Sequence, residues 1–121
     1  MAKTICLDFD GVCNTYDGWK GENDLFTPRP GLAEFLLSLK SNGFTVVIHS
    51  TRPAEKIREW LQKFGVAGVD QVTHRKPPAI CYLDDRAVLF SGSFEDVLPT
   101  ILDFRAHWEK ELPVLGAKWE L

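Results

Sequence analysis

Apolar and polar positions along the chain alternate between two periods. "TICLDF" (4–9) is a short continuous apolar run, the pattern of a strand buried on both faces. "GLAEFLLSLKSNG" (31–43) places Leu32, Phe35, Leu36 and Leu39 on one helical face, with Gly43 as its stop. "FTVVIHS" (44–50) is a second strand, rich in β-branched residues. A second helix begins with Pro53 at its first position, presents Ile57, Trp60, Leu61 and Phe64 on one face, and stops at Gly65. "VDQVTH" (69–74) is a weaker third strand and "AICYLDD" (79–85) a fourth. Ser93 with Asp96 resembles a capping box and opens a last helix to about Leu112, which Pro99 should kink or delay. Between the first strand and first helix, Val12 to Pro30 is rich in Gly, Asn, Asp and Pro and reads as a loop with room for a small hairpin.

Strands alternating with helices imply an α/β domain: a mainly parallel, Rossmannoid sheet with helices on both faces. At 121 residues the expectation is one domain, 1–121. In such sheets ligands bind beyond the carboxyl ends of the strands, so the polar residues there should make chemical sense together. The first strand ends in Asp8 and Asp10, followed by Gly11. The second ends in "HSTR", His49 to Arg52; "HRKPP" after the third carries Lys76; the fourth ends in Asp84, Asp85 and Arg86.

Composition narrows the partners. The chain is 45% hydrophobic and 26% charged with net charge −3, which gives no signature for bulk nucleic-acid binding. No apolar run reaches the length of a membrane span, and "MAKTICLDFDG" meets acid too early for a signal peptide, so a cytoplasmic protein with no membrane partner is expected. The cysteines number three, and Cys6 and Cys81 lie in apolar runs; all three read as reduced core residues. Composition is silent on oligomeric state.

Four carboxylates gathered at one edge repel one another, and desolvation worsens the repulsion, so the cluster calls for a cation. Oxygen donors without a histidine or cysteine cage favour Mg²⁺, which keeps waters and shares a substrate phosphate. Mg²⁺, a lysine and a hydroxyl around one point are the parts that stabilise a phosphoryl group in transfer. Each residue also has a plain structural reading. Asp8 and Asp10 suit a strand-end turn, Ser50 a helix cap, Lys76 a solvated surface, and His49 and His74 have no metal-ligand spacing. An EF-hand is excluded, because counting from Asp8 its fifth and twelfth positions are Val12 and Trp19.

"DFDGV", "IHS", a lysine before the fourth strand and "YLDD" resemble the four motifs of the haloacid dehalogenase (HAD) superfamily, in order and each at a strand end. The resemblance spans Ile5 to about Asp96, and Ser50-Thr51-Arg52 with "DDR" looks closest to the phosphatase branch that includes the phosphatase domain of polynucleotide kinases. It implies a Mg²⁺-dependent phosphomonoester hydrolase acting through an aspartyl-phosphate. In it, Asp8 is the nucleophile and Asp10 the proton-transfer partner. Ser50 binds a phosphoryl oxygen, and Lys76 pairs with Asp8 and the phosphoryl group. The metal ligands are Asp8, the Asp10 carbonyl and Asp85, with Asp84 as an outer partner. Gly11, Thr51, Arg52 and Arg86 are the candidate substrate contacts, the arginines for their guanidinium fork.

Many HAD enzymes insert a cap domain. Here 19 residues separate "DFDG" from the first helix and 25 separate Ser50 from Lys76, so no cap domain is expected and the site should be open. An open site suits a bulky phosphorylated substrate, either a small molecule such as a nucleotide or a nucleic-acid end. Tyr16, Trp19 and Phe26 either stack on a substrate ring or pack the first loop. Two rival readings come from other classes. A receiver-like signalling domain would hold its phosphate, but its acid pair lies on a different strand from the phosphorylated aspartate. A non-catalytic domain would bind Mg²⁺ and phosphate without turnover.

Overall fold

Val, Ile, Leu and Cys side chains too apolar for water form the two central strands. β1 (Thr4–Asp8) buries Ile5, Cys6 and Leu7, and β2 (Thr45–His49) buries Val46, Val47 and Ile48. The computed structural model describes residues 3–109. β1 and β2 run parallel in a register that sets Thr4 opposite Thr45 and Asp8 opposite His49. β3 (Gln71–Thr73) pairs with β2, and β4 (Cys81–Leu83) pairs with β1, both parallel. The order β3-β2-β1-β4 makes an all-parallel, Rossmann-like α/β sheet. Every strand therefore delivers its following residues to the same edge.

α1 (Leu32–Ser41) connects β1 to β2, and α2 (Ala54–Lys63) connects β2 to β3. Right-handed crossovers progressing in one direction put both helices on one face. There Leu32, Leu36, Ile57, Trp60 and Leu61 pack with Ile5, Leu7, Phe9, Val46, Ile48 and Val72 in one cluster. Both helices end in the same hydrogen-bond pattern, made possible by a left-handed glycine. At Gly43 (φ 82°) Phe44 N–H reaches Leu39 O, and at Gly65 (φ 63°) Val66 N–H reaches Leu61 O.

The periodicity overreached in places. Phe35 and Phe64, expected on the buried faces, are 39% and 37% exposed. Pro53 caps α2 instead of occupying its first turn. β3 and β4 are shorter than "VDQVTH" and "AICYLDD", since ladder bonds form only where a partner strand runs alongside. Cys81 lies on the edge strand β4 and is exposed, not core; Cys6 and Cys13 are buried.

The single-domain reading meets a division of the chain into two compact units, Met1–Asp85 and Arg86–Leu121. In the second, Ser93 caps α3 (Phe94–Leu102) by accepting from Asp96 N–H at 3.2 Å. Pro99 lies inside α3, which ends at Leu102 instead of reaching Leu112. Residues 110–121, including Trp119 of the tail, lie outside the described residues.

Candidate functional site

β1 delivers Asp8, and the chain then turns sharply through Phe9–Cys13, with Gly11 at φ 85°. A side chain at Gly11 would be strained in that left-handed conformation. The Asp8 carboxylate accepts Phe9 N–H at 2.9 Å, and the Cys13 thiol donates to the Asp8 carbonyl at 3.3 Å. Burial first, and then the Asp8 and Asp10 charges, push the Cys13 thiol up to about 12, so it stays protonated.

β4 is hydrogen-bonded alongside β1, so Asp84 and Asp85 arrive beside Asp8. One carboxylate oxygen from each of the three lies within 4.8 Å of the others. Burial pushes the Asp8 carboxyl up to about 8, helped by its hydrogen bond with Asp85 and by the charges of Asp84 and Asp85. A divalent cation would relieve that repulsion, and three oxygen donors free of histidine and cysteine fit Mg²⁺ by donor chemistry. The sequence had placed Asp84 in an outer role; the structure puts its carboxylate in the cluster itself.

Asp10 points elsewhere. Its carboxylate is gripped by Arg52, whose Nε donates to both oxygens at 3.1 and 2.9 Å. Arg52 is 3% exposed, donates through Nη1 to the Glu22 carbonyl at 3.0 Å, and lays its guanidinium 4.8 Å from the Trp19 ring centroid. Its Nη2 finds no acceptor among the described residues. Arg52 is thus tied to protein groups, where the sequence offered it as a substrate contact.

Asn14, which sequence reasoning passed over, is fully buried between these parts. Its Nδ2 donates to Asp10 Oδ1 at 2.9 Å and to the Leu25 carbonyl at 3.0 Å, and its Oδ1 accepts from Gly11 and Tyr16 N–H. The available signal was an asparagine in a turn-rich loop, where such side chains bond nearby backbone. Arg29, also missed, donates through Nη2 to the Asn14 carbonyl at 2.9 Å. These bonds and the Asn14–Pro28 bridge fold Val12 to Pro30 back on itself as a loop closed by one isolated antiparallel bridge, without the paired strands of a hairpin.

Ser50 is buried after β2, donates its N–H to Thr73 O and accepts Arg52 N–H on its Oγ at 3.1 Å. The hydroxyl proton keeps its donor capacity. Thr51 is exposed beside it. His49 Nε2 meets the His74 carbonyl at 3.2 Å, a structural tie. Lys76 makes no ion pair with Asp8 among the described residues; its Nζ stands 4.4 Å from the Tyr82 ring centroid. Arg86 opens the second unit and is exposed. Of the first-loop aromatics, Tyr16 and Phe26 pack edge to face at 5.4 Å, whereas Trp19 is 61% exposed.

No family model matches the chain, and no curated protein does. The solved structure of a conserved protein from Bacteroides thetaiotaomicron is similar, with a TM-score of 0.57 at 20% identity over 84% of this chain and 90% of that one. Likeness at that identity establishes the fold. No helix among the described residues is long and apolar enough to cross a membrane.

Proposed function

We propose that the protein is a Mg²⁺-dependent phosphomonoester hydrolase working through an aspartyl-phosphate, a cap-less member of the HAD superfamily. The observation that carries this reading is the meeting of the Asp8, Asp84 and Asp85 carboxylates at the strand edge, with Asp10 turned away from them onto Arg52. The two aspartates of one short turn thereby stand in different surroundings, Asp8 among carboxylates that a cation would neutralise and Asp10 against a guanidinium and an amide that orient it. Asp8, Asp84 and Asp85 would hold the metal, which when bound neutralises phosphate charge and keeps Asp8 ionised.

In the first step an Asp8 oxygen forms a bond to phosphorus while the ester P–O bond breaks, and Asp10 gives its proton to the leaving oxygen. In the second, water attacks phosphorus, Asp10 takes the water's proton, and the Asp8–phosphorus bond breaks to release phosphate and restore Asp8. Arg52 and Asn14 orient Asp10, and the Ser50 hydroxyl is available to donate to a phosphoryl oxygen. Lys76 lies against the Tyr82 ring and makes no ion pair with Asp8 among the described residues. That placement favours, as a second reading, a domain that binds metal and phosphate without turnover.

Hydrolysis of p-nitrophenyl phosphate with and without Mg²⁺ separates these readings. Asp8→Asn, a near-isostere at a carboxyl already pushed toward its neutral form, should fold normally and lose turnover. Metal-dependent turnover retained in that variant overturns the mechanism. A wild-type protein that binds Mg²⁺ and phosphate but never releases product establishes the second reading.

A further inference from the structure

The hydrolase reading uses Asp10 and Arg52 but leaves Trp19 without a role. Trp19 is a large aromatic residue that is 61% exposed, yet one side of its ring is held against a guanidinium that is itself almost fully buried. That guanidinium is fixed on its other edges by both oxygens of Asp10 and by the Glu22 carbonyl. The ring is therefore a braced surface. It stands one guanidinium away from the group that would protonate the leaving oxygen, with a ring-to-Cζ distance of 4.8 Å and an Nε-to-carboxylate distance of 2.9 Å.

We propose that Trp19 is a stacking platform for a planar ring carried by the leaving group, and that the substrates are free nucleoside monophosphates. This rests on Asp10 serving the leaving oxygen. A sugar is the spacer that separates an ester oxygen from a nucleobase, as the guanidinium separates Asp10 from the ring. An indole face accepts any base, because stacking reads a π-surface and not a hydrogen-bond pattern. Charge favours the free nucleotide over a strand end. Asp17, Glu22 and Asp24 outnumber Lys20 and Arg29 in the first loop, and the chain as a whole carries −3, so the loop that holds Trp19 offers no basic track for a polyanionic backbone.

The bland role for Trp19 is to shield the Arg52–Asp10 pair from water. The two roles separate by substrate. With Mg²⁺ present, kcat and KM are measured on adenosine 5′-monophosphate and on glycerol 3-phosphate, which is likewise a primary alkyl phosphate and has no ring, for wild type, Trp19→Leu and Trp19→Phe. Trp19→Leu should lower the ratio of kcat/KM between the two esters by about tenfold, mostly through KM, and Trp19→Phe should recover most of it. Equal losses on both esters would overturn the platform, as would an end-phosphorylated oligonucleotide outcompeting the mononucleotide. Binding of both esters to Asp8→Asn and to Asp8→Asn/Trp19→Leu, read by calorimetry, does not depend on turnover. Ring-dependent binding with no wild-type hydrolysis would leave the platform standing and reject the hydrolase. Binding indifferent to the ring rejects the platform.

Discussion

Arg52 donates one N–H to both carboxylate oxygens of Asp10, across 42 residues of sequence and from a side chain that is 1% exposed. A buried charge held this way is costly to orphan, because the surviving partner stays desolvated. Arg52→Ala should lower stability by about 3 kcal/mol in urea denaturation and leave the Asp10 carboxylate with Asn14 as its remaining side-chain donor. Arg52→Lys keeps the charge but not the fork that also reaches Glu22, so it should recover only part of the loss. Full recovery with lysine would mean that charge alone matters at this position.

Asn14 makes four hydrogen bonds from a fully buried amide. Asn14→Ala removes the acceptor of the Gly11 and Tyr16 N–H groups and the amide donor to Asp10 Oδ1 and the Leu25 carbonyl, at an expected cost of about 3 kcal/mol by chemical denaturation. Asn14→Asp has the same shape but sets a second carboxylate against Asp10, and it should cost at least as much at pH 7. A neutral Asn14→Asp would show that the amide's donors are dispensable.

The Asp8 carboxyl, pushed up to about 8 by burial and by Asp85 and Asp84, fixes the sign of a pH effect in metal-free protein. Below its ordinary 3.8 both folded and unfolded chains hold the proton, so there is no difference. Between there and about 8 the unfolded chain releases it and the folded one retains it, so stability falls as pH rises. Asp70 acts in a separate window. Its hydrogen bonds from Lys40 and Val46 hold its pKa down, and the stability they contribute is lost as pH falls below 3.8. In EDTA, Tm should drop from pH 5 to pH 8, and Asp8→Asn should flatten the slope. A Tm that climbs over that range contradicts the buried carboxyl cluster.

Mg²⁺ should act where that repulsion is greatest. A metal that binds the folded state alone raises Tm, and its ligands must be deprotonated, so the rise should be larger at pH 8 than at pH 5. Asp84→Asn and Asp85→Asn should each reduce it, since each supplies an oxygen within 4.8 Å of the Asp8 carboxylate. Identical unfolding curves with and without Mg²⁺ would remove the cluster from consideration as a metal site.

Local pattern was enough to read the order of strands and helices, the helix stops at Gly43 and Gly65, and the arrival of acids at the ends of β1 and β4. Apolar periodicity reports which side of an element is dry, glycine reports where a helix can reverse, and the parallel sheet sends all its strand ends one way. Phe35, Phe64 and Cys81 were misread because a periodic position is buried only if something lies opposite it. Side-chain direction at the edge was settled in three dimensions. Asp84 and Asp85 both reach Asp8 because β4 sits directly beside β1. Asp10 turns to Arg52 because the Phe9–Cys13 turn swings it away from the cluster, where Asn14 and the guanidinium offer donors. Lys76 rests on Tyr82, and Trp19 lies on Arg52 with most of its ring in water. These pairings join residues from separate elements, and their energies depend on distance, burial and the competing partners within reach. None of those three quantities exists until the chain has folded.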